Sequence, residues 1–393
     1  MGAAERTGLT RTQQAVIFAL SASALLSNAA IAPAIPDIRD HFGQSDSASV
    51  FILMSVHAPG LFMASIIGVA ADRYGRRTVI VPCLVIFGVG GLLSMAAPTF
   101  AWLIGARLLQ GIGSAAFVNL AVVIIGDNYT GIERTRVLGR NSMAITAGIA
   151  IIPAAGGFLD EALGWRGPFL LTVLPLFVAV AAAKVLPNDR PPITTSFRKQ
   201  LGAARGQVRR PEVKFLLLIA FMGYVMFFGA AVTALPLHLE KQYHAGPSIR
   251  GLILASPAPG SVCMALLLGR IAGRLTTGFL TACGFAIYAV LIISCGLAPT
   301  LLLAAIPVMF IGFGEVLITV PLQGHTTALS PPDQRGAMVA AWATSVRLGQ
   351  LTAPLFAALI LSVANTRVLL VSFGAWAALI CAIAIARKPL LDD

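Results

Sequence analysis

Residues 46–77 read DSASVFILMSVHAPGLFMASIIGVAADRYGRR. The 25 residues between Asp46 and Asp72 include no Asp, Glu, Lys or Arg. An α-helix rises about 1.5 Å per residue and needs about 20 apolar residues to cross the hydrocarbon core of a bilayer. The stretch therefore predicts a membrane-spanning helix that ends in a short loop with one acid and three arginines.

The same pattern recurs along the whole chain. Of the 393 residues, 57% are hydrophobic and only 11% are charged, whereas roughly 25% of the residues in a soluble domain are charged. A soluble fold is excluded. Charge-free runs of bilayer length, two of them divided by turns at 97–99 and 298–300, predict an all-α integral membrane protein with twelve transmembrane helices. Three of these helices contain an internal charge: Arg107, Glu315 and Arg347.

The basic residues are distributed unequally between the two sides of the predicted membrane. Of 28 Lys and Arg residues, 21 fall on one side, five on the other and two within helices. Because cytoplasmic loops carry the excess of Lys and Arg, this bias predicts a multi-pass protein of the cell membrane with both termini in the cytoplasm. The net charge of +12 is therefore mostly a consequence of topology, and we expect no nucleic-acid partner.

Two halves of the sequence resemble each other at a constant separation. Six pairs of residues lie 201 positions apart: Gly68 and Gly269, Gly111 and Gly312, Gly113 and Gly314, Arg134 and Arg335, Gly148 and Gly349, Pro153 and Pro354. A tandem repeat with an even number of spans places both copies in the same orientation. We predict an N-terminal six-helix bundle at 1–186, a cytoplasmic linker at 187–212 and a C-terminal six-helix bundle at 213–393.

The loop after the second helix reads Gly68-Val-Ala-Ala-Asp72-Arg73-Tyr74-Gly75-Arg76-Arg77 and closely resembles the signature loop of the major facilitator superfamily. The resemblance implies the fold of that superfamily, with two parallel six-helix repeats. It also implies that Gly68, Asp72, Arg73, Gly75 and Arg76 form a conformational latch on the cytoplasmic side. The alternative is that this loop only stops translocation and sets the topology.

Two further stretches resemble the drug:proton antiporter branch of the superfamily. Helix four contains Arg107-Leu-Leu-Gln110-Gly111-Ile-Gly113, and helix one ends in Ala32-Pro33-Ala34-Ile35-Pro36-Asp37. The resemblance implies a role in proton coupling for Arg107, and we add Asp37 to the candidates. The alternative for Arg107 is that its side chain extends to the outer interface. Helix one has no acid at its middle, where many members carry a carboxylate, and Asn28 is the nearest polar residue there.

Helix five resembles the antiporter signature of exporters. The pattern consists of Gly139, Gly148, Pro153, Gly156 and Gly157, with an isoleucine at 152 where a glycine is usual. A proline removes a backbone hydrogen bond, and glycines allow helices to approach closely. The resemblance favours efflux over uptake. Packing by small residues without a directional role is the alternative.

Two charges in the second half lie at similar predicted depths, Glu315 in helix ten and Arg347 in helix eleven. A charge inside the bilayer costs about 2.5–3.5 kcal/mol on insertion scales and marks a functional site by default. We hypothesise an intramembrane pair in which proton binding to Glu315 competes with ion pairing. Direct binding of a cationic substrate by Glu315 and a static structural pair are the alternatives.

The substrate cavity is predicted from the resemblance, because helices one, four, seven and ten line it in the superfamily. Asn28, Asn119, Tyr224 and Phe228 are the favoured candidates on these helices. His57 can titrate near neutral pH, but helix two tends to flank the cavity, and we expect it to be a packing residue.

The resulting prediction is a secondary active transporter that exports small amphiphilic or cationic compounds in exchange for protons. The alternatives are a proton symporter or facilitator that imports a nutrient, and a non-transporting membrane scaffold or sensor. The sequence has no phosphate-binding glycine-lysine loop and no metal-ligand spacing, so we expect no enzyme activity, catalytic residues, cofactor or metal. The expected partners are the substrate, protons and the lipid bilayer, and we expect a monomer.

Overall fold

The computed structural model describes residues 8–187, 210–271, 274–329 and 335–392. Within this part of the chain, twelve helices are long and apolar enough to cross a membrane, as predicted. In chain order they are α1 Arg11–His41, α2 Phe51–Tyr74, α3 Arg76–Met95, α4 Phe100–Asn128, α5 Gly131–Leu163, α6 Gly167–Val185, α7 Pro211–Tyr243, α8 Pro247–Ile271, α9 Thr277–Leu297, α10 Leu301–Ala328, α11 Arg335–Leu361 and α12 Thr366–Ala386. The predicted all-α fold is confirmed.

Polar side chains fix where several of these helices begin. The Thr10 hydroxyl accepts a hydrogen bond from the Gln13 backbone at 3.3 Å, and the Gln13 side chain accepts one from the Thr10 backbone at 2.9 Å. This reciprocal pair satisfies two of the free N–H groups at the start of α1. Thr99 caps α4 in the same turn that the sequence predicts between the third and fourth helices.

The contacts divide the chain into two compact units. The first unit consists of Met1–Ile31 and Ser55–Ile193, and the second of Ala32–Met54 and Thr194–Asp393. The C-terminal end of α1, the turn after it and the first residues of α2 thus belong to the second unit. The bundle boundaries at 186 and 213 stay a prediction, and most of the predicted linker, residues 188–209, lies outside the described residues.

The glycines of the repeat make equivalent contacts in the two units. A Cβ on Gly111 would lie 2.4 Å from the Val56 carbonyl oxygen, and a Cβ on Gly312 would lie 2.2 Å from the Pro257 carbonyl oxygen. Both the glycines and their neighbours are 201 residues apart. A glycine is required at each position because α4 meets α2, and α10 meets α8, with backbone against backbone.

A second pair of contacts follows the same rule. A Cβ on Gly113 would lie 2.4 Å from the Cys83 carbonyl oxygen, and a Cβ on Gly314 would lie 2.9 Å from the Gly284 carbonyl oxygen. The α3–α4 contact of the first unit therefore reappears as the α9–α10 contact of the second. The parallel repeat is a repeat of packing as well as of sequence.

The helix predicted at the start of the chain is not continuous. In α1, α-helix at Arg11–Ser23 gives way to 3-10 turns at Ala24–Ser27 and Ala32–Ala34 before α-helix resumes at Ile35. Pro33 and Pro36 have no N–H to donate to the preceding turn, so the regular ladder fails there. The repeat-related part of α7 is also irregular, because Phe227–Ala234 forms a π-helix just before Pro236.

Candidate functional site

The middle of the first unit contains a buried polar cluster around Arg107. Its guanidinium is 0% exposed and donates to the Ser27 carbonyl at 2.6 Å, to Asn28 Oδ1 at 2.6 Å and to Gln110 Oε1 at 2.8 Å. Asn28 Nδ2 lies 2.6 Å from His57 Nε2. We call these residues, Ser27, Asn28, His57, Arg107 and Gln110, the Arg107 cluster.

The interruption in α1 provides one of these acceptors. In a regular α-helix the Ser27 carbonyl would accept from the Ile31 amide, but here that amide donates to the Asn28 carbonyl at 3.1 Å. The Ser27 carbonyl is then available to Arg107 on α4. Because backbone polar groups must be satisfied internally within a membrane, Arg107 stabilises the irregular stretch of α1.

The glycine pattern of α5 packs against the same stretch of α1. A Cβ on Gly148 would lie 2.6 Å from a methyl of Leu25, and a Cβ on Gly156 would lie 2.0 Å from the Ala30 carbonyl oxygen. Pro153 lies between these two contacts, Gly157 lies beside the second, and both residues are buried. Gly139 has nothing within 4 Å of its Cβ position. Two glycines of the pattern thus allow α5 to approach the irregular part of α1.

Gly156→Leu is expected to destabilise the protein strongly, because the new side chain would collide with the backbone at Ala30. Overpacking of this kind costs about 1–3 kcal/mol or more. Gly139→Leu is the matched control, since it lies on the same helix with open space around it. Thermal unfolding in detergent should show a clear fall in Tm for Gly156→Leu and little change for Gly139→Leu. Equal shifts for the two variants would contradict the packing role of Gly156.

The predicted latch loop connects α2 to α3 in the first unit. Arg76 Nη1 lies 2.5 Å from Asp72, and its Nε lies 3.4 Å from Asp127 at the end of α4. Gly75 has φ of 99°, a conformation that favours glycine, and it turns the chain from α2 into α3. The Arg73 guanidinium lies over the Tyr74 ring, 5.5 Å from its centroid. Gly68 has nothing within 4 Å of its Cβ position. A role as a latch stays a prediction.

The second unit carries Glu315 beside aromatic side chains. Its carboxylate accepts a hydrogen bond from the Thr319 hydroxyl at 3.3 Å and interacts electrostatically with Tyr224 and Tyr288. Glu315 is half-buried and Tyr288 is fully buried. The Tyr224 and Phe228 rings stack with their centroids 6.4 Å apart and an interplanar angle of 27°. An acid and several aromatic rings are therefore brought together on α7, α9 and α10.

The hypothesised Glu315–Arg347 ion pair stays a prediction. Arg347 is half-buried on α11, and Glu315 is half-buried on α10. The Glu315 carboxylate accepts from Thr319 on its own helix. Asn119 lies half-buried on α4 in the first unit. Its place in a substrate cavity stays a prediction.

The second unit contains a network of ion pairs that was not predicted from the sequence. Arg39 is buried and contacts Asp40 at 2.7 Å, Asp46 at 2.8 Å and Glu240 at 3.3 Å, while Lys241 also pairs with Asp46. Arg39 and Glu240 occupy positions 201 residues apart, which are equivalent positions of the two repeats. The network joins the end of α1 and the turn after it to the end of α7.

Asp37 belongs to the same region, where it pairs with Arg250 at the start of α8. The Arg250 side chain is 1% exposed and that of Asp37 is 40% exposed. Asp37 is a predicted candidate for proton coupling, and this ion pair gives it a structural role as well. Arg250 is buried, and its carboxylate partner compensates the charge.

Asp37→Asn is expected to lower the stability of the second unit, because it removes a carboxylate from the buried Arg250 guanidinium. The effect should be about 1–3 kcal/mol, intermediate between an exposed and a buried pair. Asp40→Asn is the matched control, since the Asp40 side chain is 64% exposed and Arg39 keeps its ion pairs with Asp46 and Glu240. Unfolding measured by tryptophan fluorescence should separate the two variants. An Asp40→Asn loss as large as that of Asp37→Asn would contradict the argument from burial.

Comparisons with known proteins identify both the sequence and the fold. The sequence model of the Major Facilitator Superfamily matches residues 17–324 and, in a second match, residues 216–391. The chain is similar to the bacillibactin exporter of Bacillus subtilis, with 26% identity over 258 residues, 61% of this chain and 63% of that protein. It is also similar to the puromycin resistance protein pur8 of Streptomyces alboniger, with 30% identity over 178 residues, 44% of this chain and 35% of that protein.

The fold is similar to that of a solved transporter. The crystal structure of a bacterial homolog to the human lysosomal transporter Spinster, in an inward-facing and unoccupied conformation, aligns with a TM-score of 0.78. Its sequence is 17% identical, and the alignment covers 98% of each chain. The sequence matches, in contrast, cover less than two thirds of the length of the curated relatives.

Proposed function

This chain belongs to the Major Facilitator Superfamily, and we propose that it exports small amphiphilic or cationic compounds in exchange for protons. It is a multi-pass membrane transporter and not an enzyme. Relatives whose names describe export or drug resistance support the direction of transport that we propose. Both termini are proposed to lie in the cytoplasm, because 21 of 28 basic residues fall on that side, and we propose that the protein acts as a monomer.

The observation that supports a cationic substrate is the position of Glu315. Its half-buried carboxylate lies on a membrane helix and interacts electrostatically with Tyr224. Tyr224 stacks with Phe228, and both of these rings are half-buried. A carboxylate attracts a cation, and aromatic faces bind one by cation–π interaction, worth about 2 kcal/mol when water is excluded. A lipophilic cation meets both requirements, since its apolar groups can pack on the rings while its charge faces the acid.

The Arg107 cluster and Glu315 together support coupling to protons. A buried guanidinium and a carboxylate within the membrane are costly to insert, and such residues mark a functional site by default. We propose that Glu315 carries a proton or a substrate cation, but not both at once, and that Arg107 and Arg347 adjust the local charge. When a proton and a substrate cation compete for one carboxylate, binding of one releases the other, and this competition is the basis of exchange. Asp37 is proposed as a further coupling residue through its ion pair with Arg250.

Proteoliposomes with a trapped pH dye test the proposed function directly. When ethidium is added outside, an antiporter should make the lumen more alkaline because protons leave as ethidium enters. A symporter that imports its substrate would make the lumen more acidic. If no solute in a panel of cationic, neutral and nutrient compounds moves with the pH gradient, the proposal is wrong and a scaffold or sensor is favoured.

A further inference from the structure

Asn28 occupies the centre of the Arg107 cluster and contacts two side chains with different chemistry. Its Oδ1 accepts from Arg107 Nη2 at 2.6 Å, and its Nδ2 lies 2.6 Å from His57 Nε2. Asn28 is 4% exposed, while His57 on α2 is half-buried. A short chain of hydrogen bonds thus runs from a half-buried imidazole to a buried guanidinium.

The direction of these hydrogen bonds fixes the state of the imidazole. A guanidinium can only donate, so the oxygen of the Asn28 amide must face Arg107. The amide nitrogen, also a donor, then faces His57 Nε2, and Nε2 must accept. In this arrangement His57 is neutral and carries its proton on Nδ1.

A second proton on His57 cannot be accommodated in the same geometry. Protonation would occur at Nε2, which would become a donor and would face the donor Nδ2 of Asn28. Rotation of the amide by a half-turn would relieve that conflict but would place Nδ2 against Arg107, again donor against donor. Protonation of His57 at Nε2 is therefore incompatible with the two hydrogen bonds of Asn28 together.

The two helix stretches that form the Arg107 cluster with α2 contain few other titratable groups. The residues of α1 between Arg11 and Asp37 include no acid, base, histidine, tyrosine or cysteine, and in α4 Arg107 is the one such residue between positions 100 and 126. Val56, next to His57, packs against Gly111 of α4. Among the side chains of these two elements, Arg107 is the charge that a protonated His57 meets, through Asn28.

We propose that His57 binds the proton that changes the conformation of α1 during transport. Proton binding at Nε2 separates Asn28 from Arg107, and Arg107 also holds the Ser27 carbonyl in the irregular part of α1. His57 acts as a positioning residue, since it reaches the guanidinium through Asn28. The inference rests on the proposed function, in which transport is coupled to protons. It gives the first unit a titratable group although α1 has no acid at its middle.

Histidine-selective ¹⁵N NMR of the protein in detergent tests the assignment without any substrate. The chain has five histidines, and the spectrum of His57→Gln identifies the signal of His57. We expect the neutral form to carry its proton on Nδ1 and a second proton to bind Nε2 as the pH is lowered. A neutral form with the proton on Nε2, or an Nε2 that takes up no proton before the protein unfolds, would overturn the proposal.

Ethidium transport in proteoliposomes tests the consequence. Glutamine at position 57 can accept from Asn28 but cannot take up a proton. His57→Gln should therefore keep equilibrium exchange of ethidium, whereas its rate of transport driven by a pH gradient should fall at least about tenfold. His41→Gln, at an exposed site, is the control and should behave as wild type. Wild-type gradient-driven transport by His57→Gln would contradict the proposal. If the wild-type protein does not move ethidium, the proposed function fails for this probe, and the NMR titration still decides the role of His57.

Discussion

Arg107→Ala is expected to abolish gradient-driven transport and to destabilise the first unit. The substitution removes hydrogen bonds to the Ser27 carbonyl, Asn28 and Gln110, all of which are buried. Hydrogen bonds to a charged group contribute about 1.5–3 kcal/mol each, and a buried acceptor left alone costs a similar amount. The irregular part of α1 would lose the donor that satisfies its backbone, so we expect both a lower Tm and a loss of ethidium transport.

A conservative variant separates the charge of Arg107 from its geometry. Arg107→Lys keeps the positive charge, but an ammonium group cannot form the planar fork that reaches Ser27 and Asn28 at the same time. It should fold better than the alanine variant and still transport poorly. Arg387→Ala, at an exposed position at the end of α12, is the control for the loss of one arginine. Normal transport by Arg107→Ala would show that the cluster has no part in coupling.

Glu315→Gln is expected to lose proton-driven transport while it keeps the fold. Glutamine has nearly the same shape as glutamate and retains an oxygen that can accept from Thr319, as Glu315 does, but it carries no exchangeable charge. We expect the gradient-driven rate of ethidium efflux to fall at least about tenfold. Glu133→Gln, at the exposed start of α5, is the matched control and should transport at the wild-type rate.

Equilibrium exchange distinguishes the two roles that Glu315 could have. If Glu315 carries only the proton, Glu315→Gln should still exchange labelled ethidium across vesicles without a pH gradient. If Glu315 binds the cationic substrate, exchange of ethidium should fall together with gradient-driven transport. Full proton-driven transport by Glu315→Gln would refute both roles.

Much of the fold could be predicted from the sequence, because its determinants are local. The position of a membrane helix depends on the length of a charge-free run, and the turn at 97–99 depends on Pro98 and the cap at Thr99. Membership of the superfamily could be predicted because the latch loop and the glycine pattern of α5 are short, continuous stretches. Each of these features is settled by neighbours within a few turns of helix.

The arrangement of the candidate site was predicted less well, because it depends on which faces of helices meet. Depth along the helix is equal for Glu315 and Arg347 to within a turn, but depth alone does not determine whether two side chains face each other. The contact between His57 and Asn28 likewise could not be seen in the sequence. Rotation of a helix by one residue turns its side chains by about 100°, and an apolar run gives little information on that angle.

The sequence by itself determined the twelve helices, the tandem repeat and the residues that carry charge in the bilayer, because hydrocarbon excludes charge and a repeat conserves its spacing. The tertiary structure decided which charges compensate each other. It joined Asp37 to Arg250 and placed Arg107 at the break in α1. The reason is physical: the cost of burying a charge can be read from one chain segment, whereas the partner that offsets this cost comes from another segment, brought near by packing.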